Sequence, residues 1–167
     1  VAYAAGTLVS AERSRAEIET LVCKYAGRDA EFSSGRMSGM AAIMFAAQGR
    51  RVKFVVPLPT MDEAKREARD GRAPDRAPSP GRCEEWIERE TRRRWRSLLL
   101  AIKGRLESVE SGIETFDVAF LAHICSDSGQ TVYEAIQKAV VDGHRLLPAV
   151  EGSKVIDISA KAKEQGR

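Results

Sequence analysis

Trp95, Leu98, Leu99, Ile102, Leu106 and Val109 recur at three- and four-residue spacing, the period of one helix face. Residues 83–112 are therefore predicted to form one long amphipathic helix, with Ser79-Pro80 as N-cap and first-turn proline and Ser111-Gly112 as its end. Glu84, Glu85 and Glu88 sit near its start, where acids complement the helix dipole. Gly104 lies opposite the apolar stripe, so a bend or a close neighbour is the most it implies. Upstream, Ile18, Leu21, Val22 and Tyr25 mark a shorter helix of about three turns. Ser14 and Glu17 match the capping-box spacing at its start, and Gly27 suits its stop.

Between these helices the period changes from helical to alternating. Residues 31–37, 40–47 and 51–57 read as three strands, and weak alternation over 2–9 suggests a further one. Gln48-Gly49-Arg50 separates the last two as a hairpin turn. In the third strand Val52, Phe54 and Val56 point toward the helices, while Arg51, Lys53 and Val55 point away. With Arg36 and Arg50 nearby, that outer surface is expected to be basic.

Residues 57–82 hold five of the six prolines. They read as a mobile Pro/Arg-rich linker or surface loop, with a short helix possible over 62–69. Beyond the long helix, Thr115 is expected to cap a segment with Phe116, Phe120 and Ile124 on one face. Ser126-Asp127-Ser128-Gly129 reads as a turn, and Thr131 with Glu134 repeats the capping box ahead of Val132, Ile136, Ala139 and Val140. The expected fold is α+β: a small antiparallel sheet of three to four strands covered by the N-terminal helix and the long helix, with two shorter C-terminal helices alongside. One domain over 1–147 and a poorly ordered tail over 148–167 complete the organisation.

Composition narrows the class. The chain has 167 residues and is 43% hydrophobic, too apolar for a disordered chain, and no apolar run approaches the roughly 20 residues of a membrane span. A soluble protein with no membrane partner is expected. The net charge of +3 is modest, with the excess of basic side chains toward the N-terminus. Cys23, Cys83 and Cys125 are odd in number and far apart, which suits a reducing cytoplasm better than a disulfide framework. Val1 follows no visible signal sequence, and the missing initiator Met points to a processed start.

Charge matters most on the long helix. Arg89, Arg92, Arg93, Arg96 and Lys103 fall in an arc of roughly 100° beside the apolar stripe. Glu85, Glu88 and Glu90 precede Arg89, Arg92 and Arg94 by four residues, the favourable order for helix ion pairs. Arg93 and Arg96 are then the more available cations, and Trp86 nearby offers a stacking surface. Arg51, Lys53, Arg89, Arg92, Arg93, Arg96 and Lys103 are thus the candidate nucleic-acid contacts.

Catalytic chemistry finds little support. His123 and His144 lack the cysteine or carboxylate company of a zinc site. Cys125 and His123 are too close in sequence to converge readily on one reacting atom. Gly35, Gly39 and Gly49 precede no lysine-serine or lysine-threonine step that would complete a phosphate loop. No catalytic residue, metal or cofactor is expected, and an enzyme is disfavoured.

The head Tyr3-Ala4-Ala5-Gly6-Thr7 with 13–19, the hairpin Gly49-Arg50-Arg51-Val52-Lys53-Phe54, and the stretch from Arg94-Trp95-Arg96-Ser97-Leu98 to Phe120-Leu121-Ala122-His123-Ile124 resemble a family of small uncharacterised phage and prophage proteins. The resemblance covers most of 2–147. It implies companionship with phage recombination and replication genes, and so a role in DNA metabolism or in resisting host defence. The leading expectation is a non-enzymatic phage-type nucleic-acid-binding accessory protein, with DNA as partner. Its rivals are a protein-binding inhibitor or adaptor directed at a host defence complex, and a structural homodimer formed through the long helix.

Overall fold

A computed structural model describes residues 4, 6–27, 30–37, 39–69 and 79–141. Two compact units divide the chain, Val1–Ala135 and Ile136–Arg167. The first holds the α+β fold. Its elements are α1 (Ala11–Ala26), β1 (Glu31–Met37), β2 (Met40–Ala47), β3 (Arg50–Pro57), α2 (Met61–Arg69), α3 (Pro80–Glu110), α4 (Phe116–Phe120) and the start of α5 (Val132–Val141). The described part of the second unit is the remainder of α5; the tail expected over 148–167 lies outside the described residues.

The sheet is antiparallel in the order β1-β2-β3. Ala41, Ile43, Phe45 and Ala47 on β2 and Val52, Phe54 and Val56 on β3 are buried on its inner face, where Ile18 and Val22 of α1 and Trp95, Leu99, Ile102 and Leu106 of α3 complete one core. Alternation with period two puts every second side chain on that face, as the sequence predicted for β3. The apolar stripe of α3 is therefore consumed by the chain's own sheet and by α1. Gly104 has nothing within 4 Å of the place a Cβ would take, so no close neighbour explains it.

β2 and β3 meet through a two-residue turn, with Ala47 paired to Arg50. Gln48 has φ 50° and Gly49 φ 71°, the two positive values of a type I′ turn, whose twist matches that of the strands. Gly49→Ala is expected to cost about 1 kcal/mol of unfolding free energy, because alanine resists this left-handed conformation. Urea unfolding of wild type and variant checks it, and an unchanged midpoint would contradict the strain argument.

Several boundaries differ from expectation. Gly6 to Val9 form turn and irregular structure rather than a strand, and the remaining residues of that stretch, apart from Ala4, lie outside the described set. Ser10, not Ser14, caps α1: its Oγ accepts the Arg13 N–H at 3.1 Å. Ser14 is instead fully buried inside the helix. Gly27 does end α1, with φ 67°.

Within residues 57–82 the short helix allowed over 62–69 is present as α2. Thr60 and Glu63 exchange capping-box hydrogen bonds at 3.1 and 3.2 Å, α2 follows, and its Ala64 is fully buried. Residues 70–78 lie outside the described set. After α4 the chain tightens into a 3-10 turn, Leu121–His123, so Ile124 leaves the expected helix face and bridges Val52 in extended form. The Cys125 N–H donates to the Arg51 carbonyl at 2.7 Å, and Cys125 pairs with Thr131 across the Ser126-Gly129 turn. The outer edge of β3 is thereby partly closed.

An aromatic cluster joins α4 to the sheet. Phe120 meets Phe45 and Phe54 edge-on at 6.0 and 6.3 Å and stacks on Phe116 at 4.6 Å. The 31-residue α3 spans this whole layer, which fixes where its charged side can point.

Candidate nucleic-acid interface

The seven candidate cations fall into two groups that the fold does not bring together. Arg51 and Lys53 occupy outer-face positions of β3, while α3 packs against the inner face. The outer face is also less basic than expected. Arg36 and Arg50 pair in register with the buried Ala41 and Ala47, which assigns both to inner-face positions, and Arg50 makes a double contact with Asp117 at 3.0 Å. Lys53 is engaged as well: its Nζ donates to the Gly129 carbonyl at 3.3 Å and to the Glu134 carboxylate at 3.2 Å. The Thr131 N–H and then Lys53 hold the Glu134 carboxyl below the usual range. No aromatic residue occupies the outer-face positions of the three strands, so the face offers nothing for bases to stack on.

On α3 the cationic arc is real but internally partnered. Arg92 Nη1 donates to Glu88 at 2.7 Å, while its Nε is buried without a partner among the described residues. Arg93 grips Glu90 with two bonds of 2.6 and 2.7 Å. Arg96 reaches Glu17 of α1 at 2.6 Å, and this contact, with Arg13, holds the Glu17 carboxyl low. Arg93 and Arg96, which the sequence marks as the more available cations, are thus both paired. Arg89 and Lys103 are exposed and make no ion pair among the described residues, and the expected Glu85–Arg89 pair does not form. Glu107, four residues after Lys103, shares the arc by helical spacing, so the strip is of mixed sign at both ends.

Arg94 lies outside the candidate set and has a structural task. It donates to Glu90 at 3.0 Å, to Glu63 of α2 at 3.2 Å and to the Pro57 carbonyl at 2.8 Å, tying α3 to α2 and the end of β3. Trp86 is half-buried.

The remaining reactive side chains make quiet contacts. His123 stacks on Phe54 with ring centres 4.0 Å apart, and burial, helped by the Arg105 charge, pushes its pKa down. Cys125 directs its Sγ toward the His123 carbonyl at 3.9 Å, not toward the imidazole, and burial pushes its thiol pKa up. Among the described residues no group of three or more His, Cys, Asp and Glu side chains is placed to hold a metal ion. None of the described helices is long and apolar enough to cross a membrane.

Comparison of the chain with protein-family models, with curated proteins and with solved structures finds no match.

Proposed function

We propose that this chain is a non-enzymatic, phage-type accessory protein of DNA metabolism that binds nucleic-acid phosphates through the outward side of α3. One observation carries the reading: Arg89, Arg92, Arg93, Arg96 and Lys103 line a single face of one continuous helix, beside the stripe that anchors it. The Arg92–Glu88 pair is largely exposed on its acid side, and exposed pairs of this kind contribute little and exchange readily. A phosphate can therefore compete for such guanidiniums. Free cysteines at positions 23, 83 and 125 support a cytoplasmic setting.

The test is binding to single- and double-stranded DNA across a salt series. Affinity is expected to fall with salt, and Arg89→Gln and Lys103→Gln should each reduce the slope by about one. A flat response on both forms of DNA would remove the reading.

A second reading has its own support. Three arc cations already face carboxylates, and Glu85 and Glu107 share the arc, giving a strip of alternating sign. Such a strip suits a protein partner, as an inhibitor or adaptor of a host defence complex would need. A stoichiometric complex with a host protein that survives nuclease treatment is the distinguishing observation. Pairing of two copies through the apolar stripe of α3 forms no part of either reading, because that stripe is already covered.

A further inference from the structure

We infer that the open edge of β1 pairs with β1 of a second copy of this chain, giving a dimer built on one antiparallel sheet with three strands from each copy. This pairing uses none of the phosphate contacts proposed for α3. The two edges of the sheet are treated unequally. At β3 the chain supplies its own cover, because Ile124 bridges Val52 and the Cys125 N–H donates to the Arg51 carbonyl. β1, the other outer strand, has no strand beyond it among the described residues. Its register with β2 runs unbroken from Glu31 to Met37, and it carries no proline, lysine or bulge, which are common guards of an exposed edge.

Ala47 and Arg50 close the type I′ turn, so the odd-numbered residues of β2 bond to β3 and the even-numbered ones to β1. Glu31, Ser33 and Gly35, opposite Ala46, Met44 and Ala42, therefore bond toward β2. The N–H and C=O groups of Phe32, Ser34 and Arg36 point out from the edge, and no hydrogen bond among the described residues takes them up. A two-fold axis at Ser34 sets Ser34 against Ser34 and Phe32 against the second copy's Arg36, so each outward group meets a partner in an antiparallel ladder. Ser33, Ser34 and Gly35 at the axis are small and exposed, which lets the two edges approach. Arg36 then lies over the half-buried Phe32 of the second copy as a cation on a ring.

Charge on α1 selects a second copy over an unrelated strand. Glu17 reaches Arg96, which fixes the flank of α1 that faces α3. Glu12, Arg15 and Glu19 share the opposite flank within an arc of roughly 60°, and Glu12 and Arg15 line the same cavity as Ser34, Gly35 and Arg36. That flank stands over the β1 edge. All three side chains are exposed and make no ion pair among the described residues. Their signs alternate, so the axis that joins the strands brings two antiparallel copies of α1 together with Arg15 of each facing Glu12 or Glu19 of the other. With Arg36 the set is neutral, and two copies meet without net repulsion. A flank that complements itself fits an isologous interface.

Sedimentation of the full chain across a concentration series, with amide exchange read residue by residue, tests the pairing. A dimer is expected in which Phe32, Ser34 and Arg36 exchange as slowly as Ser33 and Gly35, whereas in a monomer only Ser33 and Gly35 are protected. Ser34→Pro removes an outward N–H and leaves the β1–β2 ladder whole, so it should give a monomer with Ser33 and Gly35 still protected. Arg15→Glu, at an exposed helix position, should weaken the dimer by about tenfold or more by facing like charges across the axis, and it decides the matter if the proline variant fails to fold. Lys24→Gln, on the flank toward α3, should leave the dimer unchanged. A monomer at every concentration, a dimer with fast exchange at Phe32, Ser34 and Arg36, or a dimer that survives Arg15→Glu or a folded Ser34→Pro would each overturn the inference. DNA binding through α3 is read separately in the salt series, so either result stands without the other.

Discussion

Phe120→Ala is expected to lower the unfolding free energy by about 3–5 kcal/mol, the range for removing a fully buried phenylalanine. Phe120 has no exposed surface. Its ring closes the gap between α4 and the sheet, edge-on to Phe45 and Phe54 and stacked against Phe116. α4 has only five residues, too few to be stable alone, so Phe116 and Phe120 are what bind it to the core. Truncation leaves a cavity that a close-packed aromatic cluster fills poorly by relaxation. Val118, 63% exposed on the same helix, is the control: Val118→Ala should stay within about 0.5 kcal/mol of wild type. Urea unfolding of both variants decides the matter. A loss below about 1 kcal/mol at Phe120 would mean that α4 is not part of the cooperative core.

The same contrast between local and distant contacts separates what the sequence reveals from what it hides. The stripe of α3, the inward set Val52, Phe54 and Val56, and the caps at Thr115 and Thr131 are all written in spacings of two to four residues. They were legible because the backbone period alone fixes which side chains share a face. Arg96 and Glu17 are 79 positions apart, and no periodicity couples them. Only the packing of α1 against α3 makes Arg96 a partnered residue. Arg36 failed for a related reason: strand parity, not proximity to Arg51, decides its face. α2 was legible as a short helix over 62–69, but its start was not, because the prolines around it drew attention from the capping-box spacing of Thr60 and Glu63.

Glu90→Gln is expected to cost about 2–3 kcal/mol, at or below the range for breaking a buried ion pair because its guanidinium partners reach water. Glu90 is 8% exposed and accepts from both Arg93 and Arg94. Glutamine keeps the shape but loses the charge and accepts through one oxygen only. The pH dependence identifies the source. Hydrogen bonds from Arg93 first, then from Arg94, hold the Glu90 carboxyl below its ordinary value of 4.5, with burial opposing them. A carboxyl whose folded pKa is depressed contributes stability that is present above the unfolded value and is lost as pH falls through the folded one. The stability gap between wild type and Glu90→Gln should therefore be constant above pH 4.5 and close below it. A gap unchanged through the acid limb would show that packing, not charge, sets the cost. The substitution also reaches the proposed function, because Arg93 belongs to the candidate arc and Glu90 neutralises it. Releasing that guanidinium should make DNA binding steeper in salt by about one unit of slope while the fold weakens. Opposite signs for stability and binding in one variant would mark Glu90 as the residue that holds the arc's charge in check; weaker binding would instead place Arg93 in service of the fold alone.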